Sequence, residues 1–159
     1  MQSATALTWD RPPTTLPRGR QPSAQPPCAD HRFVELLNAY RGSGGLARAD
    51  RLADLIQRRG GTPAALQARR DALADGVVFE WQAHDWLPLF QFNRSSLVRK
   101  PELEPLFATL AQARSRLEVA NWFVQPNAGL AGRVPVARLE SDLPAVLRAA
   151  HADCRPGRA

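Results

Sequence analysis

Residues 77–92 read Val77-Val78-Phe79-Glu80-Trp81-Gln82-Ala83-His84-Asp85-Trp86-Leu87-Pro88-Leu89-Phe90-Gln91-Phe92. Two runs rich in β-branched and aromatic residues, 77–81 and 86–92, flank a short polar link through His84 and Asp85, which is the pattern of a β-hairpin. Pro88 has no amide hydrogen to give a central ladder, so the second strand is expected at a sheet edge or to begin after that residue. Trp86, Leu89, Phe90 and Phe92 carry too much apolar area to remain in water, and they are read as core packed on a following helix. On either side of this stretch the apolar residues recur at three and four residue steps. The chain is therefore expected to be mainly α, a helical bundle with a small β-hairpin.

Upstream, Phe33, Leu36, Leu37 and Tyr40 mark a short amphipathic helix over residues 30–40, ended by Gly42-Ser43-Gly44-Gly45. A second helix is expected over 46–58, burying Leu46, Ala49, Leu52, Ala53 and Ile56 and stopped by Gly60-Gly61. The third opens on Thr62 as N-cap with Pro63 at the first helical position. It runs through Leu66, Arg69, Arg70 and Leu73 to Gly76, which suits a left-handed exit. Residues 1–29 hold six of the fourteen prolines and almost no apolar period. They are read as a disordered proline-rich leader, because such a segment buries too little surface to offset its ordering entropy.

Downstream, Pro101 opens a stretch with Leu103, Leu106, Phe107, Leu110, Leu117, Ala120 and Phe123 on one face. A proline in the first turn does little harm, so one unbroken helix over 101–123 is expected rather than a break near Pro105. A loop over 125–132 follows. Pro135 then opens a helical turn to Leu139, and Asp142 caps a last helix with Leu143, Val146, Leu147 and Ala150. Residues 151–159 are expected to fray. The chain thus divides into a leader (1–29), an N-terminal helical bundle (30–76), a hairpin with a further helical domain (77–153) and a frayed tail (154–159).

Composition narrows the function. The 159 residues carry a formal charge of +6. Twenty of the twenty-one basic residues are arginine, and the surplus is +2 in each of 1–29, 30–76 and 77–159. A field that focuses on nucleic acid needs clustered charge, so this even spread argues only weakly for it. No apolar run approaches the ~20 residues of a membrane span. The start of the chain lacks the basic-then-apolar pattern of a secretory signal, so a cytoplasmic location is expected. Cys28 and Cys154 have neither a neighbouring cysteine nor paired histidines, which argues against a disulfide, a metal site or a redox role. Among His31, His84 and His151 only His84, with Asp85 or Glu80, offers a catalytic pairing, and no nucleophile, zinc or phosphate-loop motif accompanies it. Glu102 and Glu104 suit the positive end of a helix. The chain is read as a non-enzyme without a cofactor.

The helix, Gly-Gly turn and helix within residues 46–74 has the outline of a helix-turn-helix. Its second helix would offer Gln67, Arg69 and Arg70 to DNA, with at most one of the two neighbouring arginines facing a groove. Any helical bundle with short loops gives the same outline, and ordinary packing with an arginine-rich wet face is the plainer reading.

A further segment reads Trp122-Phe123-Val124-Gln125-Pro126-Asn127-Ala128-Gly129-Leu130-Ala131-Gly132-Arg133-Val134-Pro135-Val136-Ala137-Arg138-Leu139. A tryptophan near a helix end, a Pro-Asn pair, then Leu-x-Gly-x-x-Pro and a leucine resemble the signature of the Xre/MbcA/ParS antitoxin C-terminal toxin-binding domain. Phe90-Gln91-Phe92 is similar to the aromatic segment that precedes that domain, and residues 146–153 resemble its closing helix. The resemblance covers residues 77–153, and loosely 30–153. It implies an antitoxin that binds and neutralises a cognate toxin, often a RES-domain enzyme that consumes NAD, and an N-terminal bundle that binds its own promoter DNA. Two features depart from the family: residues 30–76 do not read as an Xre-type repressor, and the proline-rich leader has no counterpart. Gly129 and Gly132 permit a tight loop and Pro135 fixes the next turn, which would present Asn127, Arg133 and Arg138 to the partner. The expected partners are a cognate toxin, promoter DNA and a second copy of the chain as a homodimer, with no membrane. The rival expectation is a stand-alone DNA-binding transcription regulator.

Overall fold

The computed structural model describes residues 27–155, so the expectations for residues 1–26 and 156–159 lie outside the described residues. The described chain is mainly α. It runs α1 (Pro27–Tyr40), β1 (Leu46–Arg48), α2 (Ala49–Arg58), α3 (Pro63–Asp75), β2 (Phe79–Trp81), β3 (His84–Pro88), α4 (Glu104–Ala111), α5 (Arg116–Val124) and α6 (Leu143–Asp153). Short 3-10 turns link several of these elements.

Local chemistry sets most boundaries. The Thr62 hydroxyl accepts the Ala65 N–H at 3.2 Å while Pro63 begins α3, and Asp142 accepts the Ala145 N–H at 3.1 Å at the start of α6. Gly60 (φ +91°) and Gly61 (φ +44°) end α2, with the Gly61 N–H donating back to the Ile56 carbonyl at 2.8 Å. The 101–123 stretch, however, is two helices rather than one. Ser115 caps α5, its hydroxyl accepting the Glu118 N–H while the Glu118 carboxylate accepts the Ser115 N–H at 2.7 Å. This capping box satisfies two free donors and starts a new helix. Leu117, expected in the core, is 45% exposed as a result.

The second helix also starts later than expected. Leu46–Arg48 is a strand, because its backbone pairs with β3 in the register Leu46↔Pro88, Ala47↔Leu87, Arg48↔Trp86. The sheet order is β1-β3-β2, so β3 is the central strand and not an edge. It ends at Pro88. On the β1 side the ladder closes with Leu89 N–H donating to the Gly45 carbonyl at 2.9 Å, which bypasses the missing proline donor. On the other side a side chain extends the ladder. Gln91, fully buried, accepts the Val77 N–H at 3.2 Å and donates to the carbonyls of Val77 (2.9 Å) and Pro88 (3.0 Å).

Two residues depart from expectation in backbone geometry. Gly76 is extended (φ −93°, ψ −174°) rather than left-handed. Its reason is space: a Cβ there would lie 2.6 Å from both the Ala72 carbonyl oxygen and the Gln91 Oε1. The hairpin turns on Gln82 (φ +48°) and Ala83 (φ +59°), and His84 and Asp85 lie in the strand instead of the link. Two left-handed residues match the primed turn that a two-residue hairpin favours.

Two apolar clusters hold the fold. The larger gathers Leu36 and Tyr40 of α1, Phe79, Phe90, and the inner faces of α4, α5 and α6; the smaller joins α2 and α3 to Leu87, Phe92 and Leu97. Residues 30–76 therefore do not form a bundle of their own, since α1 packs on α5 while α2 and α3 pair with each other. On α3 the buried positions are Ala65, Ala68 and Ala72, with Leu66 and Leu73 only partly covered. Tyr40 donates its buried hydroxyl to the Ala120 carbonyl at 2.7 Å, and burial holds its phenol pKa well above the usual range. Arg99 and Arg116 donate to the Asp75 and Leu73 carbonyls, the negative end of α3, and so tie the smaller unit to the larger.

Candidate partner-binding site

The segment after α5 is an exposed loop held from beneath by one short network. Trp122, in the last turn of α5, donates its indole N–H to Asp153 Oδ2 at 2.8 Å, and Asn127 Nδ2 donates to the same oxygen at 2.7 Å. Asp153 closes α6, where a negative charge faces the negative end of the helix dipole. The two N–H donors offset that repulsion. The frayed tail expected from residue 151 therefore begins no earlier than the end of α6.

Asn127 is the hub of the loop. Its Oδ1 accepts the Gly129 N–H at 2.8 Å, its N–H donates to the Arg133 carbonyl at 3.1 Å, and its carbonyl accepts from Leu130 and Gly132. Only 7% of Asn127 is exposed. Its side chain is spent on holding the loop, which leaves little of it to present to a partner. Gly129 passes close over α6, where a Cβ would sit 3.2 Å from Ala149 Cβ. Ala131 (φ +55°) and Gly132 (φ +76°) then reverse the chain in left-handed conformations.

What this scaffold exposes is mostly backbone. Gln125, Pro126, Ala128, Gly129, Ala131, Gly132 and Arg133 are exposed, with Arg133 the single charge among them. Arg138 follows on the 3-10 turn Pro135–Arg138, half-buried, with its guanidinium 3.8 Å from the Asp142 carboxylate. Arg133 is thus the freer of the two predicted arginines.

Each end of the segment lines a groove. One, of about 730 Å³, opens between α1 and α5 and is lined by Arg32, Glu35, Asn121, Trp122, Asn127 and Asp153 among others. The other, of about 450 Å³, has an apolar floor that includes Phe90, Phe92, Val136 and Leu139, with Arg94 and Lys100 at its margin. Lys100 pairs with Glu140 there at 3.3 Å.

The residues assigned to DNA do not act as a set. Gln67 donates to Asp71 at 2.8 Å, and Arg69 turns inward to donate its Nε to the Ala49 carbonyl at 3.0 Å. Arg70 is exposed and has no ion pair among the described residues. Arg69 instead fastens α3 to the start of α2. His84 stands exposed opposite Trp81 in the hairpin, Asp85 opposite Glu80, and His31 lies 3.3 Å from Glu35 on the surface of α1. His84 lines none of the described grooves. Glu104 lies in the first turn of α4, as helix electrostatics favours, and Glu102 in the 3-10 turn before it. No group of three or more potential metal ligands occurs among the described residues.

The sequence reading missed Asp153 and Gln91. Asp153 had one visible signal, an acidic residue at the wrong end of a helix. Gln91 had none, since its partners are backbone groups fourteen residues earlier and three residues earlier. No protein-family model, curated protein or solved structure matches the chain.

Proposed function

We propose that this chain is a non-catalytic, antitoxin-like binding protein whose C-terminal half captures and neutralises a toxin enzyme. The observation that carries the proposal is the Trp122–Asp153–Asn127 network, which holds an exposed, side-chain-poor loop in a segment whose ends line two grooves. A loop ordered before binding loses little entropy on docking, and small residues let a partner approach its backbone. The Trp, Pro-Asn and Leu-x-Gly-x-x-Pro pattern, similar to antitoxin toxin-binding domains, falls on that same segment. By the same resemblance the target is an NAD-consuming enzyme of the RES type. No described helix is long and apolar enough to cross a membrane.

The test is co-expression of the full chain with the product of its neighbouring gene. Rescue of growth and of cellular NAD, with a complex that survives high salt, is the expected result. Arg133→Glu with Arg138→Glu should weaken that complex at least about tenfold if a guanidinium meets an acidic rim, each lost charge-assisted contact being ~1.5–3 kcal/mol. Unchanged affinity would remove both arginines from the interface, and failure of rescue would remove the toxin-binding reading. A second reading, promoter binding by the α2–α3 pair, is supported by the exposed Gln67 and Arg70. It requires sequence-selective binding to upstream DNA that falls steeply with salt.

A further inference from the structure

The groove beside residues 134–139 has a floor drawn from both apolar clusters. Phe90, Val136 and Leu139 come from the larger, Leu89 and Phe92 from the smaller. Leu89 and Val136 stay partly exposed there, so the floor offers apolar surface that a bound apolar group would remove from water. The volume of about 450 Å³ lies within the ~300–1,000 Å³ of pockets that enclose a ligand, which suits an inserted side chain with its neighbours better than a flat surface.

The margin of the groove is cationic. Arg94 is exposed and makes no ion pair among the described residues. Lys100, the chain's single lysine, is anchored by its backbone N–H, which donates to the Gln91 carbonyl at 2.9 Å. Its ammonium lies 3.3 Å from the Glu140 carboxylate, and the Glu140 side chain is 88% exposed. A pair so open to water is worth little, and Glu140 is free to swing aside. Two cations thus face one loosely held anion, a margin complementary to an incoming carboxylate.

We propose that this groove receives a segment of the captured toxin in which a large apolar side chain stands beside an aspartate or glutamate. The apolar group covers Leu89 and Val136 on the floor, and the carboxylate meets Arg94 and Lys100 at the margin. Charge-assisted hydrogen bonds there set the register of the segment, and the floor supplies the apolar burial. The inference rests on the toxin-binding reading, since the wall formed by Val134, Val136 and Ala137 continues directly from the exposed loop and lets one partner meet both.

The test uses the full chain, alone and with the product of its neighbouring gene, and leaves Arg133 and Arg138 in place. Lys100 is acetylated with an amine-specific reagent and followed by peptide mass spectrometry, which its being the single lysine makes unambiguous. It should react in the free chain and lose that reactivity in the complex. Arg94→Glu combined with Ala137→Trp, both at exposed positions lining the groove, should weaken the complex at least about tenfold at an unchanged unfolding midpoint. A complex in which Lys100 stays reactive and the double variant binds like the parent would overturn the groove assignment and leave the toxin-binding reading standing. Failure of the parent chain to form any complex would remove that reading, and this inference with it. Lys100 reactivity that rises on dilution of the chain alone would overturn the proposal as well, because it would assign the groove to a second copy.

Discussion

Replacing Gln91 by leucine should be among the most damaging single changes to this fold. The two side chains are close in size, so the packing volume is nearly preserved and the perturbation isolates the amide. Gln91 is completely buried and makes three hydrogen bonds, all to backbone groups: the Val77 N–H, the Val77 carbonyl and the Pro88 carbonyl. The variant leaves those three groups in an apolar interior where water does not reach them. At ~1–3 kcal/mol for each buried group left unsatisfied, with carbonyls at the low end, the loss is about 3–6 kcal/mol. That is a large share of the ~5–15 kcal/mol that a domain of this size has in total. Urea unfolding followed by far-UV circular dichroism measures it as a fall in midpoint at constant slope. Gly76→Ala should reproduce much of the effect, because its Cβ would meet Gln91 Oε1 and the Ala72 carbonyl at 2.6 Å, and neither yields freely, the amide being held by its three hydrogen bonds and the carbonyl by α3. A loss below about 1 kcal/mol in Gln91→Leu would show that water or another donor satisfies Val77, and the account of Gln91 as a substitute strand partner would be wrong.

Three further outcomes follow from the same geometry. Asp153→Ala removes the shared acceptor of Trp122 and Asn127 and should cost about 2 kcal/mol by thermal unfolding, partial exposure reducing the ~1.5–3 kcal/mol of each charged hydrogen bond; an unchanged midpoint would dismiss the network as scaffold. Gln82→Asn with Ala83→Gly places turn formers at two left-handed positions and should stabilise the chain by about 1–2 kcal/mol, so a destabilised variant would refute the primed-turn assignment. The Glu118 carboxyl is held below its usual pKa by hydrogen bonds from the Ser115 side chain and then the Ser115 N–H. Its contribution is therefore present above the unfolded-state value and is lost as pH falls through the lowered folded-state value. The stability gap between the parent and Glu118→Gln should be open at neutral pH and close through and below the ordinary glutamate range, and a gap independent of pH would dissociate Glu118 from the cap.

Much of the fold was legible because its signals are local. Thr62-Pro63, Gly60-Gly61 and Asp142 each act within a few residues of themselves, and the structure places helix boundaries at all three. The capping box Ser115-x-x-Glu118 was equally local, and the continuous apolar face from Leu106 to Phe123 masked it. The loop over 125–132 was legible as a loop, through its glycines and its proline. Which of its side chains faces outward was not, because Asn127 is turned inward by Asp153, twenty-six residues away.

The sequence by itself determined the helical class, the hairpin between its two aromatic runs, most caps and stops, and the loop that follows α5. These depend on period, propensity and short-range hydrogen bonding, which operate without the rest of the molecule. Only the tertiary structure decided that Leu46–Arg48 is a strand, that β3 is central despite Pro88, and that α1 joins the larger core and leaves α2 and α3 as a pair. It also decided that Asn127, Arg69 and Gln91 work inward. The strand, Arg69 and Gln91 outcomes turn on backbone groups that had to find a partner, and the α1 and Asn127 outcomes on contacts between distant side chains; which partner lies within reach is set by how distant segments pack.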